Sequence, residues 1–332
     1  MKKTIAIFCS LIIGSINSVP AQAVGFARVP PSPNKIFDMG IWYPTDQPVP
    51  STPNTPFGQA LSIDVKPVGS DLPLIIISHG NAGWMGGHAD TALALAEAGY
   101  VVAALTHSDD NFENEDVNPS VWVVSRPQEV ISSIAYLLER WSGAEHISRK
   151  RIGVFGFSAG GYTALVAAGG VPNFQKAMQH CEREPTEFVC DIGLIQEIAS
   201  SGLKSTSRSF ASDPRIKAIS IAAPGFGFAF DSESVQAVKI PVQIWSGSLD
   251  MRVPHGTNGR LVANALNGET DVEIVEGAGH FSFLQPCKPG LESENQSIWE
   301  MICVDDVAFD RAAFHKYLNA RVIEFFDTML VP

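Results

Sequence analysis

The sequence predicts an α/β fold: a mostly parallel central sheet with helices on both faces. Two observations carry this. Short continuous apolar runs of strand length alternate with longer stretches of helical periodicity, as in a sheet buried between helices. The stretch Arg151 to Gly161, R-I-G-V-F-G-F-S-A-G-G, then reads as a buried strand over Ile152–Phe155, a sharp turn at Ser158, and a helix over Tyr162–Ala168. Gly156 and Gly160 flank Ser158 in the G-x-S-x-G spacing, which crowded backbone at a strand-to-helix turn requires.

The N-terminus reads as a leader. Lys2 and Lys3 precede an apolar run from Ile5 to Ile16, and Ala21-Gln22-Ala23 supplies small residues for cleavage. That is the pattern of a secretory signal peptide, too short and wrongly flanked for a membrane span. Cys9 lies inside the run beside Phe8, a poor place for lipid attachment. Cleavage after Ala23 removes 23 of 332 residues, two of them lysines and none acidic. The remaining 309 residues carry a formal charge of −14 rather than −12. The expectation is export, to the periplasm or outside the cell.

From residue 24 onward a single domain is expected. Val24 to Asp71 is rich in proline and polar turns, with strand candidates at Phe37–Tyr43 and Leu61–Val65. Leu72–Ile77 is a continuous apolar strand leading into Ser78-His79-Gly80. Ala89 to Gly99 reads as a helix closed by glycine, and Tyr100–Leu105 as the next strand. Pro127 to Trp141 reads as a helix with Val130, Ile131, Ile134, Leu137, Leu138 and Trp141 on one face, opened by a capping box of Ser125 and Gln128. Ile216–Ala222, Val242–Trp245 and Asp271–Val275 follow as strands, and Ala308–Met329 as a long amphipathic helix. The segment of about 170–213 is an insertion.

The acidic balance argues against nucleic acid or an anionic membrane as partner. Once the leader is gone, Cys181, Cys190, Cys287 and Cys303 remain. Four cysteines allow three pairings, and the simplest joins neighbours, as befits an oxidising compartment. A zinc site is the other reading, against which stands the lack of any C-x-x-C pair.

A nucleophilic serine needs a base, an orienting acid and donors for an oxyanion, and candidates follow in chain order. After the Leu72–Ile77 strand comes His79-Gly80-Asn81-Ala82-Gly83, so the N–H groups of Asn81 and Ala159 are the candidate oxyanion donors. Asp250 lies just beyond the Val242–Trp245 strand, where ligands gather in open α/β sheets. Its alternative role is to cap a helix starting near His255, and Asp231 is the reserve acid. His280, on the glycine turn Gly277-Ala278-Gly279, is the candidate base.

With these residues in hand, the chain resembles an α/β-hydrolase of the platelet-activating-factor acetylhydrolase and predicted dienelactone-hydrolase group. The resemblance runs from Gly40-Ile41-Trp42-Tyr43-Pro44 to His280. It rests on Ser78-His79-Gly80, Arg126-Pro127 opening a helix, Gly156–Gly161, and the Asp250 and His280 segments. It implies the α/β-hydrolase fold and hydrolysis of esters with short or modest acyl groups, with no metal or organic cofactor. It departs at the nucleophile, since dienelactone hydrolases proper use a cysteine where this chain has Ser158.

Trp84, the segment His107–Trp122, Phe226–Phe230 and Phe281–Phe283 are candidate pocket walls for a small-molecule ester or lipid-like substrate, core packing being the other reading. The acidic run Asp109, Asp110, Glu113, Glu115, Asp116 matches no calcium loop and reads as a solvated loop. The insertion starts on the opposite face of the sheet from the nucleophile, so it reads as a peripheral excursion before a lid. Rival functions are a lipase- or cutinase-like polyester hydrolase, a hydrolase-fold binding protein without catalysis, and a peptidase, since amides and esters share this chemistry.

Overall fold

The computed structural model describes residues 23–31, 38–114, 117–206, 208–266, 268 and 270–331. Apart from Ala23, the leader expected at 1–23 lies outside the described residues, as do Phe37, Glu115 and Asp116.

The strands among the described residues are β1 (Val24–Val29), β2 (Asp38–Pro44), β3 (Ser62–Ile63), β4 (Leu72–Ser78), β5 (Val101–Thr106), β6 (Ile147–Phe157), β7 (Ile216–Ala222), β8 (Val242–Gly247) and β9 (Thr270–Val275). They form one sheet in the order β3-β1-β2-β5-β4-β6-β7-β8-β9. From β5 to β9 every pairing is parallel, whereas β2 runs antiparallel to both β1 and β5. The sequence does not predict β1, which lies in the proline- and turn-rich stretch before residue 71; what makes it a strand is a distant partner, β2.

The helices are α1 (Ala89–Glu97), α2 (Pro119–Glu139), α3 (Ala159–Ala167), α4 (Phe174–Arg183), α5 (Phe188–Asp191), α6 (Leu194–Ser200), α7 (Gly259–Ala265), α8 (Leu291–Glu294), α9 (Gln296–Ile302) and α10 (Arg311–Met329). β4 shows how they cover the sheet. Its Leu74 and Ile76 pack with Val130 and Ile134 of α2 and Leu165 of α3, and its Ile75 and Ile77 with Leu95 of α1 and Leu318 and Phe326 of α10. Alternate side chains of a strand face opposite ways, so an unbroken apolar run is what a two-sided burial demands. Each such side chain contributes about 1.5–3 kcal/mol.

One helix begins earlier than its sequence indicates. Pro127 sits inside α2, not at its start, and the first turn is set by Pro119 and by Asn118, whose side chain accepts the Ser120 N–H. A capping box of Ser125 and Gln128 is therefore ruled out. Proline mid-helix lacks the N–H that would bond four residues back, so the Val123 carbonyl loses its helical donor. The buried Tyr162 hydroxyl donates to that carbonyl at 3.0 Å.

The chain order fixes where a site can form. From β4 the chain passes through α1 to β5 on one side, then through α2 to β6 on the other side of β4. The loops leaving β4 and β6 diverge there, opening a crevice at the strands' C-terminal ends. Disulfides join Cys181 to Cys190 and Cys287 to Cys303, the neighbour pairing. Such bonds belong to an oxidising compartment. Among the described residues no helix is long and apolar enough to cross a membrane.

Candidate active site

Ser158 occupies the turn between β6 and α3 with φ 54° and ψ −117°, a conformation an ordinary residue adopts only under compulsion. The compulsion is visible. The Ser158 N–H donates to the Ala222 carbonyl at 2.8 Å, and the Ser158 carbonyl accepts from Gly161 and Gly225 at 2.9 and 3.0 Å. A Cβ on Gly160 would collide with the Ser78 carbonyl, and one on Gly156 with the Gly160 carbonyl. The G-x-S-x-G spacing is thus a statement about backbone clearance between β4, β6 and α3.

His280 and Asp250 arrive from the two strands beyond β7. His280 opens a short 3-10 turn, His280–Phe283, in the loop after β9, and Asp250 follows β8. The His280 Nε2 lies 3.1 Å from Ser158 Oγ and its Nδ1 2.7 Å from Asp250 Oδ2. A carboxylate only accepts, so Nδ1 carries the proton and Nε2 accepts from the serine hydroxyl. Asp250 Oδ1 accepts the N–H groups of Arg252 and Val253 at 2.9 and 2.8 Å. Those bonds make a local turn rather than a cap for α7, which begins at Gly259. Asp231, the reserve acid, is instead paired with Lys176 and accepts the Glu233 and Ser234 N–H groups.

His280 is braced from behind through Ser282. Its hydroxyl accepts the Gly279 N–H at 2.9 Å and donates to Asp305 at 2.6 Å, and Asp305 is gripped by Arg311 of α10. The Ser282 carbonyl accepts from His315 Nε2 at 2.9 Å.

The loop after β4 carries Gly80 and Asn81 to the Ser158 pocket, facing Ala159 at the start of α3. Asp110 holds it. One carboxylate oxygen accepts the Ala82 N–H at 2.7 Å and the Asn81 amide at 2.8 Å, and the other is paired with the buried Arg126. Arg126 also donates to the His79 carbonyl and to Ser78 Oγ. Beneath lies a histidine pair. His79 Nε2 accepts the His107 N–H at 3.1 Å, so its Nδ1 donates to the Gly80 carbonyl at 2.6 Å. Burial drives both histidines well below their ordinary pKa, with the Arg126 charge adding to it. Burial also pushes Glu129, 2.6 Å from His107 Nδ1, up to about 7 against the Ser108 N–H bonds. Solvated was therefore the wrong reading for Asp110, which is 1% exposed: charge neutralisation by Arg126 draws it inside.

Comparison with known proteins bears on this arrangement. The chain matches the model of the Dienelactone hydrolase family over residues 62–187, which spans the β4 loop and Ser158 but not Asp250 or His280. A solved structure of a ferulic acid esterase from Streptomyces cinnamoneus superposes with a TM-score of 0.65 at 17% identity, covering 94% of this chain and 91% of that one. The chain has the α/β-hydrolase fold. Comparison with curated protein sequences finds no match.

The pocket at Ser158 is walled by Trp122, Phe226, Phe281 and Val253, and by Phe188, Val189 and Leu194. The last three belong to the insertion, which is not a peripheral excursion. Glu187 draws it across, accepting from Asn258 of the β8 side at 2.9 Å and lying 2.7 Å from His180, while Cys181–Cys190 ties α4 to α5. Other expected walls lie elsewhere: Trp84 packs against Phe57 and Phe112, Phe228 stacks on His180, and Phe230 and Phe283 are core. No group of three or more potential metal ligands occurs among the described residues.

Proposed function

We propose that this protein is an exported serine hydrolase cleaving carboxylic esters of short to medium acyl chains, with residues 24–332 as one catalytic domain. The observation that carries the reading is the hydrogen-bonded line Ser158–His280–Asp250 at 3.1 and 2.7 Å. His280 Nε2 takes the Ser158 proton as Oγ attacks the ester carbonyl. Asp250 holds the imidazole tautomer and stabilises the imidazolium. The tetrahedral oxyanion sits between the N–H groups of Asn81 and Ala159. Collapse expels the alcohol, which receives the proton from His280. A water deprotonated by the same histidine then attacks the acyl-enzyme, releasing the acid and returning the proton to Ser158. Every step is proton transfer and acyl transfer, and the chain supplies each group, so no cofactor is invoked.

The pocket supports the short-acyl reading over a lipase- or cutinase-like one. The space beside Ser158 is small, about 90 Å³, and Phe188, Val189, Leu194, Trp122 and Phe226 are among the residues that line it, which suits a short acyl group better than a long chain. Export is supported by the Lys2–Ala23 leader pattern and by two disulfides.

The test is hydrolysis of p-nitrophenyl esters from acetyl to palmitoyl, beside Ser158→Ala. Activity should peak at short chains and fall by about 10³-fold or more in the variant. Hydrolysis unaffected by Ser158→Ala would overturn the reading.

A further inference from the structure

Arg252 stands two residues beyond Asp250 and lines the same pocket as Ser158 and His280. Its guanidinium carbon lies 4.4 Å from the Phe188 ring centroid and 4.8 Å from that of Phe281. No carboxylate among the described residues pairs with it, although the chain has 35 acidic residues against 23 lysines and arginines. Aromatic rings at that range take up the faces of a guanidinium and leave free its edges, where all five N–H donors lie. Its backbone is fixed as well, since the Arg252 N–H donates at 2.9 Å to the same carboxylate that holds His280. The cation is therefore set at a defined place relative to the reacting serine.

A pocket for a neutral ester has no use for a half-buried charge, which is costly to desolvate without a partner. A planar anion supplies that partner, and the guanidinium fork matches a carboxylate with two parallel hydrogen bonds. We infer that Arg252 is an anion-recognition residue of the pocket and that the preferred substrates are esters carrying a carboxylate. The inference rests on the ester-hydrolase reading above. Phe188 belongs to the insertion, so the insertion's position over the site is part of the same recognition: it supplies one of the two rings that hold the guanidinium.

Two matched ester pairs test this, each differing by one carboxylate. On the alcohol side the pair is 3-acetoxybenzoate and phenyl acetate. On the acyl side it is mono-p-nitrophenyl glutarate and p-nitrophenyl valerate. In at least one pair the ratio of kcat/KM, anionic over neutral, should fall at least tenfold in Arg252→Gln, with Arg252→Lys between. The pair that responds locates the anion on the alcohol or the acyl side. A ratio that moves less than twofold in both pairs overturns the inference. Calorimetric titration of 3-hydroxybenzoate and of phenol into Ser158→Ala and into Ser158→Ala/Arg252→Gln reads the subsite without turnover. Where the alcohol-side pair is the one that responds, the preference for 3-hydroxybenzoate over phenol should fall at least tenfold on loss of the arginine, and an equal preference in the two proteins then counts against the site. If esters are still cleaved by Ser158→Ala while this binding difference stands, the catalytic reading fails and the anion subsite survives. If Ser158→Ala is inactive and the ratios stay flat, the subsite alone fails.

Discussion

Tyr162 of α3 donates its hydroxyl at 3.0 Å to the carbonyl of Val123, four residues before Pro127 in α2. The proline removes one helical hydrogen bond, and a side chain from the helix that follows Ser158 replaces it. Tyr162→Phe should cost about 1–2 kcal/mol by leaving that carbonyl buried and unpaired. Pro127→Ala restores an N–H at the same place, so in that background Tyr162→Phe should cost much less. A double-mutant cycle by chemical denaturation measures the coupling, and additive losses would show that the two residues act independently.

Asp110 joins the β4 loop to Arg126, and its removal should therefore act on turnover as well as stability. Asp110→Asn strands a buried guanidinium, a change that costs about 3–5 kcal/mol where one partner of a buried pair is lost. It also loosens the loop carrying Asn81, and a displacement of even 1 Å at a reacting centre can cost about 10²-fold. The expected kinetics are a kcat lowered about tenfold or more with a smaller change in KM. A raised KM with kcat intact would show that the loop keeps its place without this pin.

Much of this was legible in the chain itself, for identifiable reasons. The central strands were, because burial on both faces demands unbroken apolar runs such as Leu72–Ile77. That Ser158, Asp250 and His280 would come together was, because each lies in a loop leaving the C-terminal end of a strand and the topology fixes their order. The start of α2 was not, since Pro127 resembles a first-turn proline and the compensating donor, Tyr162, lies 39 residues from the Val123 carbonyl it serves. Asp110 was hidden among other acids, because its burial depends on Arg126 16 residues downstream. The path of the insertion depended on the Glu187–Asn258 hydrogen bond, 71 residues apart in sequence. In each miss, a tertiary partner decided what local pattern could not.

Stability should depend on pH through buried groups that pull in opposite directions, and His88 and Glu129 show the two signs. Burial between Phe155 and Phe157 pushes His88 down to about 4, with Asp90 opposing. Between 4 and the ordinary value of 6.5, the unfolded chain binds a proton that the folded chain does not. Stability from this site therefore falls as pH drops through that window, by about 1.4 kcal/mol per unit. Glu129 is raised from 4.5 to about 7, so its contribution is present below 4.5 and is lost as pH rises through 7. His88→Phe removes the His88 slope and leaves those of Glu129, His79 and His107 in place in both proteins. The melting temperature of the variant relative to the parent protein should rise from pH 7.5 to pH 5. A difference that stays constant with pH would mean that His88 titrates normally.

The two disulfides should separate stability from specificity. Cys181–Cys190 closes a loop of sequence separation 9 and Cys287–Cys303 one of 16, so chain entropy predicts losses of about 2.5 and about 3 kcal/mol on removal. Their consequences for the pocket differ. Phe188 and Val189 lie just before Cys190 and wall the Ser158 pocket, whereas neither Cys287 nor Cys303 touches it. Cys181→Ser/Cys190→Ser should let α5 drift, widening the pocket and moving the p-nitrophenyl ester profile toward longer chains. Cys287→Ser/Cys303→Ser should lower the melting temperature by a similar amount without shifting that profile. If both pairs shifted the profile equally, the effect would come from general loosening. If neither did, the Glu187–Asn258 and Glu187–His180 contacts alone would hold the insertion over the site.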